Sequence, residues 1–145
     1  MKKLLVFIIL IICILIVVYM PYKKTTILKY DDFVFETEIR DTIKGRRIGL
    51  MNHESLERNQ AMLFVFKEAD KHGFWMKNMK FPIDILWLDE DYKIVDIKND
   101  IPPCVTQECI MYYPSKEAKY VLEIYPNLTN ELNMSTDQAI ELNNS

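Results

Sequence analysis

Residues 74–85, FWMKNMKFPIDI, set Lys77 and Asn78 among aromatic and apolar side chains. In an extended chain Trp75 and Lys77 share one face, and Met76 and Asn78 the other. An indole beside an amine and an amide is what a polar-ligand site needs, a flat stacking surface with donors at its edge. Arg47 and Asp84 are candidate supports for it. The same residues also fit a purely architectural reading, in which Asn78 closes a turn before Phe81-Pro82 and Lys77 snorkels along Trp75.

Asp84 and Glu123 stand inside apolar strands, IDI and LEI. Either points outward by alternation, or reaches a cation such as Arg47 or Lys77 and acts as an acid or base. Two carboxylates at the right separation would support glycoside hydrolysis. Nucleophilic catalysis lacks its motifs: there is no G-x-S-x-G, and no His neighbours the outer cysteines. His53 and His72 have no metal-ligand partners nearby and read as loop histidines. Met51, Met62, Met76 and Met79 are core filler before they are copper ligands. With three Gly in the chain there is no phosphate cradle. No metal and no cofactor is expected.

Cys104 and Cys109 enclose VTQE and form a natural disulfide pair if the domain faces an oxidising space. A zinc site would need two further ligands, and only His53 and His72 are at hand. Cys13 lies in an apolar run, where a thiol behaves as a small hydrophobe.

That run spans residues 4–20, LLVFIILIICILIVVYM, and with Pro21 and Tyr22 reaches 19 uncharged residues. At about 1.5 Å per residue it is long enough for a hydrocarbon core of roughly 30 Å. It is longer than a signal-peptide core, no small-residue cleavage site follows, and Ile11 and Ile12 do not suit Cys13 for lipid attachment. An uncleaved signal anchor over residues 1–24 is therefore expected, making a single-pass protein of the cell membrane. Lys2 and Lys3 before the span and Lys23 and Lys24 after it nearly balance. The short leading tail favours an extracytoplasmic domain.

Residues 25–145 hold 14 Lys/Arg against 21 Asp/Glu, a formal charge of −7. Such a surface repels nucleic acid, and no basic stripe offsets it. Residues 25–32 read as a juxtamembrane tether, 33–142 as one soluble domain, and 143–145 as a tail. Strands are expected at 33–39, 62–66, 74–78, 83–89, 92–98, 119–125 and around 138–142. Strands 83–89 and 92–98 should form a hairpin, the second with Ile94, Asp96 and Lys98 on one side and Lys93, Val95 and Ile97 on the other. Asp41 is a possible N-cap for a short helix over 41–51 weakened by Gly45 and Gly49, and a second short helix falls at 128–132. The fold class is mainly β, a small sandwich or partly open barrel with one or two short helices, preceded by one transmembrane helix. Two sequons, at Asn127 and Asn133, are read as unmodified.

GLM at 49–51, MLFVF at 62–66, FWMKNMKFPIDILWLD at 74–89, KIVDI at 93–97 and YVLEI at 120–124 occur in one order. This pattern resembles domain of unknown function 192, also catalogued as uncharacterised protein family 0127, over residues 33–142. The resemblance implies a compact, mainly β domain, often behind a signal or anchor, and no reaction. The Cys104/Cys109 pair and Tyr113-Pro114 also resemble features of many members. The chain departs from the pattern at Tyr92, where similar proteins have Gly after the acidic turn. It departs again in NLTNELNMSTDQAIEL, which lacks the usual glycines. A non-catalytic binding module for a polar envelope ligand, carbohydrate or peptide, is the expected function. An envelope hydrolase using Asp84 or Glu123, or an accessory protein for another membrane protein, is the alternative.

Overall fold

The computed structural model describes residues 2–19 and 23–142. In chain order the elements are α1 (Lys2–Tyr19), β1 (Thr25–Tyr30), β2 (Phe33–Arg40), α2 (Ile43–Ile48), β3 (Gln60–Asp70), β4 (Phe74–Trp75), β5 (Ile83–Leu88), β6 (Ile94–Ile101), β7 (Met111–Tyr112), β8 (Ala118–Ile124), α3 (Leu128–Glu131) and β9 (Glu141–Leu142). Seven strands form one half-barrel sheet in the order β6-β5-β8-β3-β2-β1-β9, and β4 and β7 form a separate ribbon. The mainly β expectation holds at that level.

The expected membrane span falls on α1, whose side chains from Val6 to Leu15 are exposed, while Met20, Pro21 and Tyr22 lie outside the described residues. Among the described residues no helix is long and apolar enough to cross a membrane. The 18 residues of α1 include Lys2 and Lys3, and at about 1.5 Å each they reach about 27 Å against a core of roughly 30 Å. The tail at 143–145 is also outside the described residues.

Residues 25–30 are not a tether. They form β1, antiparallel to β2 and β9, with Leu28 and Tyr30 buried. The alternation of TTILKY was the available signal, masked by the lysines before it. β2 and β3 run parallel, a pairing no local pattern announced, and are joined through α2, which lies within the short helix expected over 41–51. Thr42, not Asp41, caps α2, its Oγ1 accepting from Gly45 N at 3.0 Å. Asp41 instead pairs with Lys24.

The sheet is covered on both faces, so its central strands are buried on both sides, as all six residues of β5 are. One core gathers Leu28, Phe35, Leu63, Leu86, Leu122 and Ile124 beneath α3 and the segment through Met134 and Ile140. The other gathers Leu50, Met62, Phe64, Met76, Ile85, Trp87 and Val121. In β6 a register shift breaks the expected alternation, and Ile94 and Ile97 pack on one core while Val95 packs on the other.

Few glycines leave other residues to make the turns. Asp31, Asn52, Asn78, Asp100, Asn127, Asn133 and Asp137 all take positive φ, as Asn and Asp tolerate best. The exception is Tyr92 (φ 60°), in the turn between β5 and β6. Its ring stacks on Tyr120 at 4.3 Å between centroids, a contact that offsets the strained backbone.

Candidate functional site

Asp84 and Glu123 do not meet. Asp84 pairs with Ile124 and Ile85 with Glu123 on adjacent antiparallel strands, so the two carboxylates face opposite sides of the sheet. Asp84 is fully buried and accepts four hydrogen bonds. They come from Asp100 N (2.7 Å), Asn127 N (2.7 Å), Thr129 N (2.8 Å) and Thr129 Oγ1 (2.6 Å). It caps α3 from a distant strand in place of Asn127, which is left-handed and gives no side-chain cap. Asp84 therefore leaves the set of candidate ligand contacts, and it is no acid or base for a bound molecule. The sequon at Asn127 is drawn into the same cap through Thr129.

Glu123 is the opposite case. Its side chain is 5 % exposed, and Oε2 has no partner among the described residues. Burial alone pushes its carboxyl up to about 8, so at neutral pH it is mostly a neutral acid with a proton to donate.

Two walls rise over it. One is the C-terminal end of α2 with its following turn, bringing Arg46, Arg47, Gly49, Leu50 and Met51. The other is β4 and its continuation, bringing Phe74, Trp75, Lys77 and Met79. Together with Phe64 and Glu123 they line a slot of about 30 Å³, room for one water-sized group. Gly49 is required in the first wall: its φ is +51°, and a Cβ there would stand 3.1 Å from the Phe64 ring. The second wall is fixed from behind by Met76, which is buried, and whose carbonyl accepts from Cys104 N at 3.0 Å. The Cys104–Cys109 disulfide is formed, with Cα atoms 5.7 Å apart, closing the loop that flanks this wall.

The expected site residues divide cleanly. Arg47, Trp75 and Lys77 line the slot together. Trp75 is 42 % exposed, and Lys77 Nζ lies 5.2 Å from its ring centroid. Asn78 is outside the lining. It takes φ +58° as the turn residue, and its Nδ2 lies 3.9 Å from Met51 Sδ, one wall against the other. Arg46 is engaged, its Nη1 donating to Asp41 O (2.6 Å) and Val65 O (2.9 Å) with its guanidinium over Phe66. Arg47 and Lys77 make no ion pair among the described residues.

A larger cleft of about 730 Å³ opens over β1, β2 and β3, lined by Thr25, Thr26, Glu36, Glu38, His53 and Gln60 above Leu56 and Met62. It adjoins the slot through Leu50, which lines both. Sequence reasoning missed His53, read as a loop surface residue. It is half-buried, with Nδ1 enclosed and unpartnered among the described residues. Size favours the cleft, but its most enclosed carboxylate, Glu38, already pairs with Lys23 (3.1 Å) and Arg40 (2.7 Å). The slot holds a buried carboxyl oxygen with no partner among the described residues, beside two cations that make no ion pair there.

The DUF192 family model, described as Uncharacterized ACR, COG1430, matches residues 26–142. The chain belongs to the DUF192 family. A UPF0127 protein of Thermococcus kodakarensis is 30% identical over 93 residues, 61% of this chain and 52% of that protein. The DUF192 chain thus spans about half the length of the curated relative it matches. A protein of unknown function from Novosphingobium aromaticivorans shares the fold with a TM-score of 0.72 at 23% identity, over 82% of this chain and 84% of the other. A putative transcription regulator from Sinorhizobium meliloti superposes with a TM-score of 0.71 at 25% identity, over 83% and 94%. These likenesses fix a fold and attach no reaction to it.

Proposed function

We propose that this DUF192 chain is a membrane-anchored binding module that holds a polar envelope ligand at the slot over Glu123. One observation carries the reading: Arg47, Trp75, Lys77 and the unpartnered Glu123 converge on a single slot. The residues offer two cations with no ion pair among the described residues, a half-exposed indole and a neutral carboxylic acid. These bind and orient a polar group, with no second carboxylate among the described residues of the slot to act on it. In the cross-strand row of Glu123, the nearest carboxylate is Glu38, two strands away with buried Met62 between them.

The anchor is the uncharged run of residues 4–22, of which α1 holds the part up to Tyr19, with the domain on the extracytoplasmic side. The exposed apolar side chains of Val6 to Leu15 and the Cys104–Cys109 disulfide support that placement. Resistance to alkaline extraction, with the domain cleaved by protease added to intact spheroplasts, is the expected result. Release by alkali, or full protection of the domain, contradicts the placement.

Binding is tested by thermal unfolding of the full chain in detergent micelles against neutral sugars, acidic sugars and short peptides. A ligand present at 100 times its Kd adds about 2.7 kcal/mol. W75A should abolish that shift while leaving the unliganded midpoint nearly unchanged. A shift that survives W75A unaltered places the ligand elsewhere.

A further inference from the structure

The slot is a cationic island on an acidic domain. Residues 25–145 carry a formal charge of −7, yet the charged groups lining the slot are Arg46, Arg47, Lys77 and Glu123, the last mostly uncharged at neutral pH. A cationic ligand group would meet like charges on both walls and a neutral floor. An anionic group would meet opposite charges at the rim and a proton donor beneath it.

From this geometry we infer that the ligand group held in the slot is a carboxylate, carried by a uronate-bearing glycan, and that Glu123 donates its proton to it. The inference rests on the binding-module reading and names the chemistry of its ligand. A slot of about 30 Å³ has room for one oxygen of a carboxylate and not for a sugar ring. The Oε2–H···O⁻ hydrogen bond so formed is of the short, charge-assisted kind. Trp75 offers its indole at the mouth for the C–H face of the sugar ring. Across Leu50 the larger cleft continues with Thr25, Thr26, His53 and Gln60, which match the hydroxyls of a glycan chain, and with Glu36 and Glu38, the latter paired with Lys23 and Arg40.

The charged groups around Glu123 set how this responds to pH. Arg46 and Arg47 line the slot from one wall, Arg46 with its guanidinium engaged by Asp41 O and Val65 O, and Lys77 lines it from the other. Glu38 and Lys98 lie in its cross-strand row, beyond Met62 and Ile85 respectively. None of these holds Glu123 ionised: burial dominates and keeps the proton on until about pH 8.

The test is titration calorimetry of the full chain in detergent micelles. The probes are trigalacturonate, its methyl ester, and a tripeptide with a free C-terminus. Trigalacturonate should bind at least about tenfold tighter than the ester below pH 8, and its affinity should fall about tenfold per pH unit above that. E123Q, which keeps a donor and cannot ionise, should bind with a flat pH profile, and E123L should lose about tenfold or more. Should E123L fail to fold, the contrast between wild type and E123Q above pH 8 decides the matter alone. Equal affinity for acid and ester, or wild-type binding by E123L, overturns this inference and leaves the binding-module reading standing. Preference for the tripeptide overturns the glycan assignment. No binding by any probe that the thermal panel also fails to replace overturns both.

Discussion

Asp84 and Glu123 lie one register step apart on neighbouring strands and face opposite cores. One is saturated with four donors, the other has an oxygen with none among the described residues. The same side-chain chemistry is architecture on one face and a candidate binding group on the other.

Removing the Asp84 carboxylate leaves two buried donors on Thr129 and the backbone N–H groups of Asp100 and Asn127 without their acceptor. D84A should cost about 3 kcal/mol or more in chemical unfolding of the full chain. D84N should also destabilise, because its amide nitrogen meets donors. An unchanged midpoint in D84N, the result a purely catalytic Asp84 would give, contradicts this assignment.

Glu123 makes stability depend on pH with a definite sign. Its folded pKa is raised to about 8 from an ordinary carboxyl near 4.5, so between these values the folded state binds more protons than the unfolded one. Its favourable contribution is complete below about pH 4.5 and is lost as pH rises to about 8. E123Q should therefore be more stable than wild type at neutral pH, on the order of a few kcal/mol. That advantage should vanish near pH 4, as read from unfolding midpoints across the range. A pH-independent difference would place the charge in water.

Asn78 closes the turn between the walls at φ +58°. N78A should cost about 1 kcal/mol by forcing a Cβ-bearing, non-amide residue into the left-handed region, and N78G should recover most of it. Equal stability of the two variants would mean that the turn relaxes.

The sequence made the slot partly legible. Arg47, Trp75 and Lys77 stood out because charged groups in an apolar context need a reason, and they do converge. Asn78 was legible as a turn residue by type, and the turn is where it acts. Asp84 was not, because its donors lie up to 45 residues away on α3, a relationship set by tertiary packing alone. Nor could alternation decide which face of β8 carries Glu123, since both faces of the sheet are covered. The same packing hid β1, whose burial comes from β2 and β9, and the parallel pairing of β2 with β3. Tyr92 shows the converse: its residue type gives no sign of a left-handed turn, and the backbone takes one.

The central claim is that the slot over Glu123 is where a polar ligand binds. Calorimetric titration of wild type and the R47A/W75A double variant with the tightest ligand from the thermal panel tests it most directly. The account predicts a loss of at least about tenfold in affinity, at least about 1.4 kcal/mol, with unfolding midpoints that differ little. Equal affinity in the two proteins, both folded, would contradict it.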